Sequence, residues 1–145
     1  MSRVLVIDDS DGVRSTLKAM LESAGHDVAV AFDGVDGVAQ FQDQSFDLVI
    51  SDIVMPRKDG LQTVRELREM TEAVPIIVMS GGFQLSDSGD NQRDIDDLLF
   101  IAEDLGATRT ISKPFSKADL LAVVGECLGE IGSRVLIRGR GGGAE

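Results

Sequence analysis

Cysteine is almost missing from this chain: Cys127 is the only one among 145 residues. No internal disulfide can form, so a reducing cytoplasm is the expected compartment. Tryptophan and tyrosine are absent, which argues against a base-stacking surface. Positive charge is scarce: 14 Lys and Arg stand against 25 Asp and Glu, for a net charge of -11. Nucleic-acid phosphates repel such a chain, so direct DNA or RNA binding is not expected. No stretch approaches the roughly 20 apolar residues of a membrane span, so no membrane insertion is expected. No basic segment precedes an apolar one at the amino terminus, so no secretion signal is read there. His26 is the only histidine; it falls between a helix-like and a strand-like segment and reads as a surface residue.

What is present is globular in character: 43% hydrophobic and 27% charged residues, at a length that suits one domain with a substantial core. Short strand-like and longer helix-like segments alternate five times along the sequence, as in repeated βαβ units. Strands are predicted at about Arg3 to Ile7, Val28 to Ala31, Leu48 to Ser51, Ile76 to Met79 and Thr108 to Ser112. The first helix runs from about Gly12 to Ser23, with Val13, Leu17, Met20, Leu21 and Ala24 on one face and Gly25 as its stop. Val35, Val38, Ala39 and Phe41 mark a short second helix, and Leu61, Val64, Leu67 and Met70 a third that begins near Asp59-Gly60. Ile95, Leu98, Leu99, Ala102 and Leu105 mark a fourth, closed by Gly106. Ser116 is placed to cap the fifth, with Asp119 at its third position and Leu120, Leu121, Val124 and Leu128 inward.

The first, third and fourth strands are continuous apolar runs, as expected of parallel strands covered on both faces. The fold class is therefore α/β, a doubly wound five-stranded parallel sheet in the order 2-1-3-4-5 with five helices. Ligands in such sheets bind beyond the carboxyl ends of the strands. Four runs end there in chemistry-bearing residues: Asp8-Asp9, Asp52, Ser80 and Lys113. Residues 1–129 read as the domain and residues 130–145 as a flexible tail, with Val135-Leu136-Ile137 as a possible short strand. Gly81 to Gln92 reads as a long loop directly after the site.

At these positions the chain resembles the receiver domain of two-component response regulators. The marks are Asp8-Asp9, Asp52, Met55-Pro56 with Asp59-Gly60, Ser80, and Lys113-Pro114-Phe115, in order at the ends of the expected strands. The resemblance covers roughly residues 2 to 129 and implies a flavodoxin-like fold. It implies Asp52 as a phosphoacceptor, charged by a histidine kinase or a histidine phosphotransfer protein and read by a downstream protein target. It implies Mg²⁺ as cofactor, held directly by Asp9 and Asp52 and by the backbone carbonyl of Val54, and through water by Asp8. Ser80 corresponds to the hydroxyl that meets the phosphoryl group, and Lys113 to the lysine that pairs with the phosphorylated carboxylate. Two features depart from the family: Thr110 stands where an aromatic switch residue is common, and the stretch between Ser80 and Lys113 is longer than usual.

The chemistry needs this set. A carboxylate attacks a dianionic phosphoryl donor poorly because like charges repel, and a divalent metal with a cationic side chain offsets that repulsion. Mg²⁺ takes oxygen ligands and keeps several waters, so a few carboxylates and a carbonyl suffice. Aspartyl phosphate is a known covalent species; here it would serve as a signal. An alternative is a haloacid-dehalogenase-like Mg²⁺-dependent phosphatase, whose nucleophile opens an Asp-x-Asp motif after the first strand; here Asp8 and Asp9 are adjacent and Ser10-Asp11 follow. A second is a receiver-like interaction module that is never phosphorylated. Taken singly, Asp8-Asp9 read equally well as a strand end that caps the next helix. Cys127 reads as helix packing, and the acids between Asp87 and Asp104 as a solvated face.

Overall fold

Apolar runs without alternation require cover on both faces, and the chain supplies it with helices between successive strands. A computed structural model describes residues 2–53, 60–80, 100–112 and 115–129, with the side chain of Ser80 excepted. The strands are β1 (Arg3–Ile7), β2 (Asp27–Ala31), β3 (Leu48–Asp52), β4 (Ile76–Ser80) and β5 (Arg109–Ser112). The helices are α1 (Asp11–Ser23), α2 (Gly34–Asp43), α3 (Gly60–Met70), α4 (residues 100–105) and α5 (Lys117–Cys127). All strand pairs are parallel, in the order β2-β1-β3-β4-β5. The order is the expected one. The loop at 81–92, the fourth helix's Ile95, Leu98 and Leu99, and the tail at 130–145 lie outside the described residues.

The pleat divides the core between the two faces of the sheet. Leu5, Ile7, Val49, Ile76 and Val78 pack with Val38 of α2, Val64 and Leu67 of α3, and Ala102 of α4. Val4, Val6, Leu48, Ile50, Ile77 and Met79 pack with Leu17 and Leu21 of α1 and with Leu120 and Val124 of α5. Cys127 lies against this second cluster, as its helix position suggested. Burial pushes its thiol pKa up, with the Arg109 charge acting in the opposite direction.

Three inward faces differ in detail from the sequence reading. In α2, Val35 and Ala39 are exposed, whereas Gly34, Gly37 and Val38 are buried. A Cβ on Gly37 would stand 2.4 Å from Ile7 Cδ1, so α2 approaches β1 through a residue with no side chain to signal it. In α3, Thr63 is buried while Met70 is 38% exposed. Ala24 ends α1 as its exposed C-cap rather than packing inward. His26 is half-buried rather than a surface residue.

The helix ends follow local chemistry. Gly25 (φ 94°) and Gly106 (φ 124°) occupy the left-handed position after α1 and α4. In each case the next amide bonds back to the helix: His26 N to Leu21 O at 3.1 Å and Ala107 N to Ala102 O at 2.9 Å. Ser116 and Asp119 form a reciprocal capping box on α5, as expected.

At the amino-terminal edge of the sheet one side chain ties three segments together. Arg68, at the end of α3, donates from Nε to Gly106 O at 2.9 Å and from Nη1 to Val74 O at 2.7 Å and Thr71 O at 3.3 Å. Its Nη2 reaches Thr108 Oγ1 at 3.3 Å, and that hydroxyl also accepts from Ile76 N at 3.0 Å. Desolvation lowers the Arg68 pKa. Arg68→Ala removes these donors from partly buried carbonyls and is expected to destabilise the chain by about 1–3 kcal/mol. Urea unfolding monitored by far-UV circular dichroism checks it; a loss below about 0.5 kcal/mol, the range of ordinary surface substitutions, shows that the clamp is dispensable.

At the opposite edge Gly60 closes the chain back onto the end of β3. Its amide donates to Ile53 O at 2.8 Å. A Cβ there would meet Ile53 Cα at 2.4 Å and Asp52 O at 2.5 Å, both backbone atoms that cannot swing aside. Gly60→Ala is expected to cost about 1–3 kcal/mol of stability through overpacking, and to shift the backbone amide resonances of Asp52 and Ile53. An unchanged spectrum at those two residues means that the chain has room there.

Candidate functional site

Register brings the site together. Ile7 pairs with Ser51, so the next residues along the two strands, Asp8 and Asp52, stand side by side at the carboxyl edge. Asp52 pairs with Met79, and Ser80 with Ser112, which carries the edge across β4 and β5. Asp9 follows Asp8 into the turn before α1. One carboxylate oxygen from each of Asp8, Asp9 and Asp52 lies within 4.8 Å of the other two. Asp8 is fully buried, Asp52 is 4% exposed and Asp9 is exposed.

Each acid is set by a different local device. The Asp8 amide donates to Ala31 O at 3.1 Å, continuing the β1–β2 ladder. Its Oδ1 accepts from Ser10 N at 2.8 Å, and its carbonyl accepts from Arg14 Nη1 at 2.7 Å. The cap of α1 is Ser10, whose side chain accepts from Val13 N at 3.3 Å. The acidic pair therefore does not cap the helix itself; Asp8 supports the turn that leads to the cap. Asp52 is the last residue of β3, its carbonyl accepts from the buried Ser51 Oγ at 3.0 Å, and Ile53 N continues the ladder to Met79 O at 3.0 Å.

Like charges this close repel. At about 4 Å, a pair in a surface-like dielectric is unfavourable by on the order of 4 kcal/mol. Three carboxylate oxygens this close, two of them from buried residues, are the hard donor set that suits Mg²⁺. Asp8, Asp9 and Asp52 are thus the described residues that can hold a divalent cation.

Among the other expected site residues, Val54, Lys113 and Pro114 lie outside the described residues. Ser80 ends β4 at the same edge as Asp52. Thr110 lies within β5 in register with Val78. Sequence reasoning missed Arg14 and Ser51. Neither gave a signal: Arg14 reads as an ordinary charge on the helix face, and Ser51 lies inside an apolar run.

Comparison with known proteins agrees with this geometry. Protein PilG of Pseudomonas aeruginosa is 32% identical over 124 residues, 84% of each chain. Transcriptional regulatory protein DltR of Streptococcus agalactiae is 34% identical over 120 residues, and the chain spans about half its length (49%). The crystal structure of a response regulator receiver domain protein from Clostridium thermocellum superposes with a TM-score of 0.78 at 27% identity, covering 94% of this chain and all of that one. The response regulator receiver domain family matches residues 4–125. With that match running from β1 into α5, the chain belongs to the receiver-domain family of two-component response regulators.

Proposed function

We propose that this chain is a phosphorylation-activated response regulator that takes a phosphoryl group on Asp52 and signals through a protein partner. The observation that carries the reading is the meeting of Asp8, Asp9 and Asp52 oxygens within 4.8 Å at the carboxyl edge of the sheet. Receiver domains bind Mg²⁺ at such an acidic cluster. When bound, Mg²⁺ offsets the charge of the carboxylates and of the incoming phosphoryl oxygens.

The chain's own residues do the rest. Asp9, Asp52 and the Val54 carbonyl would hold Mg²⁺ directly, and Asp8 would hold it through water. A carboxylate oxygen of Asp52 attacks phosphorus in line, forming an O–P bond. The P–N bond to the donor histidine breaks, its electron pair stays on the imidazole nitrogen, and solvent supplies the proton. The donor is a histidine kinase or a histidine phosphotransfer protein. Ser80 donates to one phosphoryl oxygen and Lys113 pairs with another. The chain works as a signalling domain rather than a turnover enzyme. The single cysteine supports a reducing, cytoplasmic setting.

Acetyl phosphate with Mg²⁺ is expected to add one phosphoryl group to the wild-type chain, read as intact mass, and none to Asp52→Asn. Equal labelling of the variant would move the acceptor elsewhere. In calorimetric titration with Mg²⁺, Asp9→Ala is expected to lose affinity by about ten-fold or more, and Ser80→Ala to lose little. A larger loss for Ser80→Ala would mean that the metal pocket is wrongly assigned.

A further inference from the structure

Asp9 is the one exposed member of the acidic trio. An exposed aspartate after a strand end has several rotamers and a peptide that can turn. Something must hold it toward Asp8 and Asp52 against their repulsion. The carbonyl of Asp8 belongs to the peptide that carries Asp9, so whatever fixes that carbonyl fixes the direction in which Asp9 leaves the strand.

Arg14 fixes it. Its Nη1 donates to Asp8 O at 2.7 Å, a charge-assisted bond at the short end of the range. Its Nη2 pairs with the carboxylate of Asp11, one turn earlier on α1. The Arg14 side chain is 16% exposed, whereas that of Asp11 is 91% exposed. The backbone is anchored as well, through Arg14 N to Ser10 O at 3.0 Å. The guanidinium is therefore held at both ends of its fork, with Asp11 offsetting its charge and Asp8 O receiving its aim. The rest of Asp8 is already fixed by Ala31 O and Ser10 N, which leaves the Asp8–Asp9 peptide as the part Arg14 controls.

We propose that Arg14 is a positioning residue of the cation site: it locks the Asp8–Asp9 peptide so that the Asp9 carboxylate stays in the cluster. The inference rests on the reading that Asp8, Asp9 and Asp52 bind a divalent cation. It carries a distinctive sign. By charge alone, an arginine beside a cation site weakens cation binding, and removing it tightens binding. By positioning, removing it loosens Asp9 and weakens binding.

The test is Mg²⁺ calorimetry on the full chain: wild type, Arg14→Gln, Arg14→Lys and Arg68→Ala. Outer-shell residues that orient metal ligands are typically worth 10- to 100-fold in affinity. Arg14→Gln is expected to raise the Mg²⁺ Kd by about ten-fold, although it removes a positive charge. Arg14→Lys keeps the charge but not the planar two-point fork, and its Kd is expected to rise as well. Arg68→Ala, destabilising at the far edge of the sheet, is expected to leave the Kd unchanged, which separates positioning from general loosening. Should Arg14→Gln not fold, Arg14→Lys decides alone. A wild-type Kd in both Arg14 variants, tighter binding in Arg14→Gln, or an equal loss in Arg68→Ala overturns the proposal. Absence of Mg²⁺ binding by the wild type overturns the cation-site reading and this inference with it; wild-type binding unchanged in the Arg14 variants overturns the inference alone.

Discussion

Everything at the site depends on one constraint: a parallel sheet buried on both faces sends all its carboxyl ends to one edge. Each strand must return through a helix, and each helix must bury an apolar stripe on the sheet. Leu5 and Ile7 meet the helices on one side, Val4 and Val6 those on the other. Packing this dense is not easily slid, because a one-residue slip would exchange the two sets. The residue after the last apolar position of β1 is therefore fixed beside the last residue of β3. Asp8 and Asp52 stand together because Ile7 and Ser51 are paired, not because the acids attract each other.

The two edges of the sheet are built for different tasks. The amino-terminal edge is tied by scattered hydrogen bonds: the Arg68 clamp, the Thr108 hydroxyl, the Asp47 carboxylate on Arg3 N, and the left-handed turns at Gly25 and Gly106. The carboxyl edge concentrates negative charge and holds it in place. Asp8 is restrained at its amide, its carboxylate and its carbonyl. Gly60 brings the following chain against the Asp52–Ile53 backbone at a distance any side chain would have to push apart. A rigid support beneath a repulsive cluster is what a cation site needs, because ligands already in position lose little freedom on binding.

The family relationship adds context that the chain alone does not. PilG is matched over most of its length, whereas DltR is about twice the length of the matched portion. Receiver domains thus occur both with and without a large additional region.

Much was legible in the sequence because its signals are local. The apolar runs at Val4–Ile7, Leu48–Ile50 and Ile76–Met79 carry no alternation, and that alone requires a doubly covered parallel sheet. Gly25, Gly106 and Ser116 announce helix ends through backbone chemistry confined to a few residues. Asp8-Asp9 and Asp52 stand out because they lie at the carboxyl ends of such runs. What the sequence could not carry is contact between distant residues. Gly37 has no side chain to reveal that α2 presses on Ile7, and Val35 has an apolar side chain that α2 turns outward. Arg68 looks like any surface arginine until α3, Val74, Gly106 and Thr108 converge on it. Arg14 looks like a helix-face charge until the turn at Ser10 brings it over the Asp8 carbonyl. Hydrophobic period and capping depend on neighbours in the chain, whereas the partners of a guanidinium depend on which surfaces the folded core has brought together.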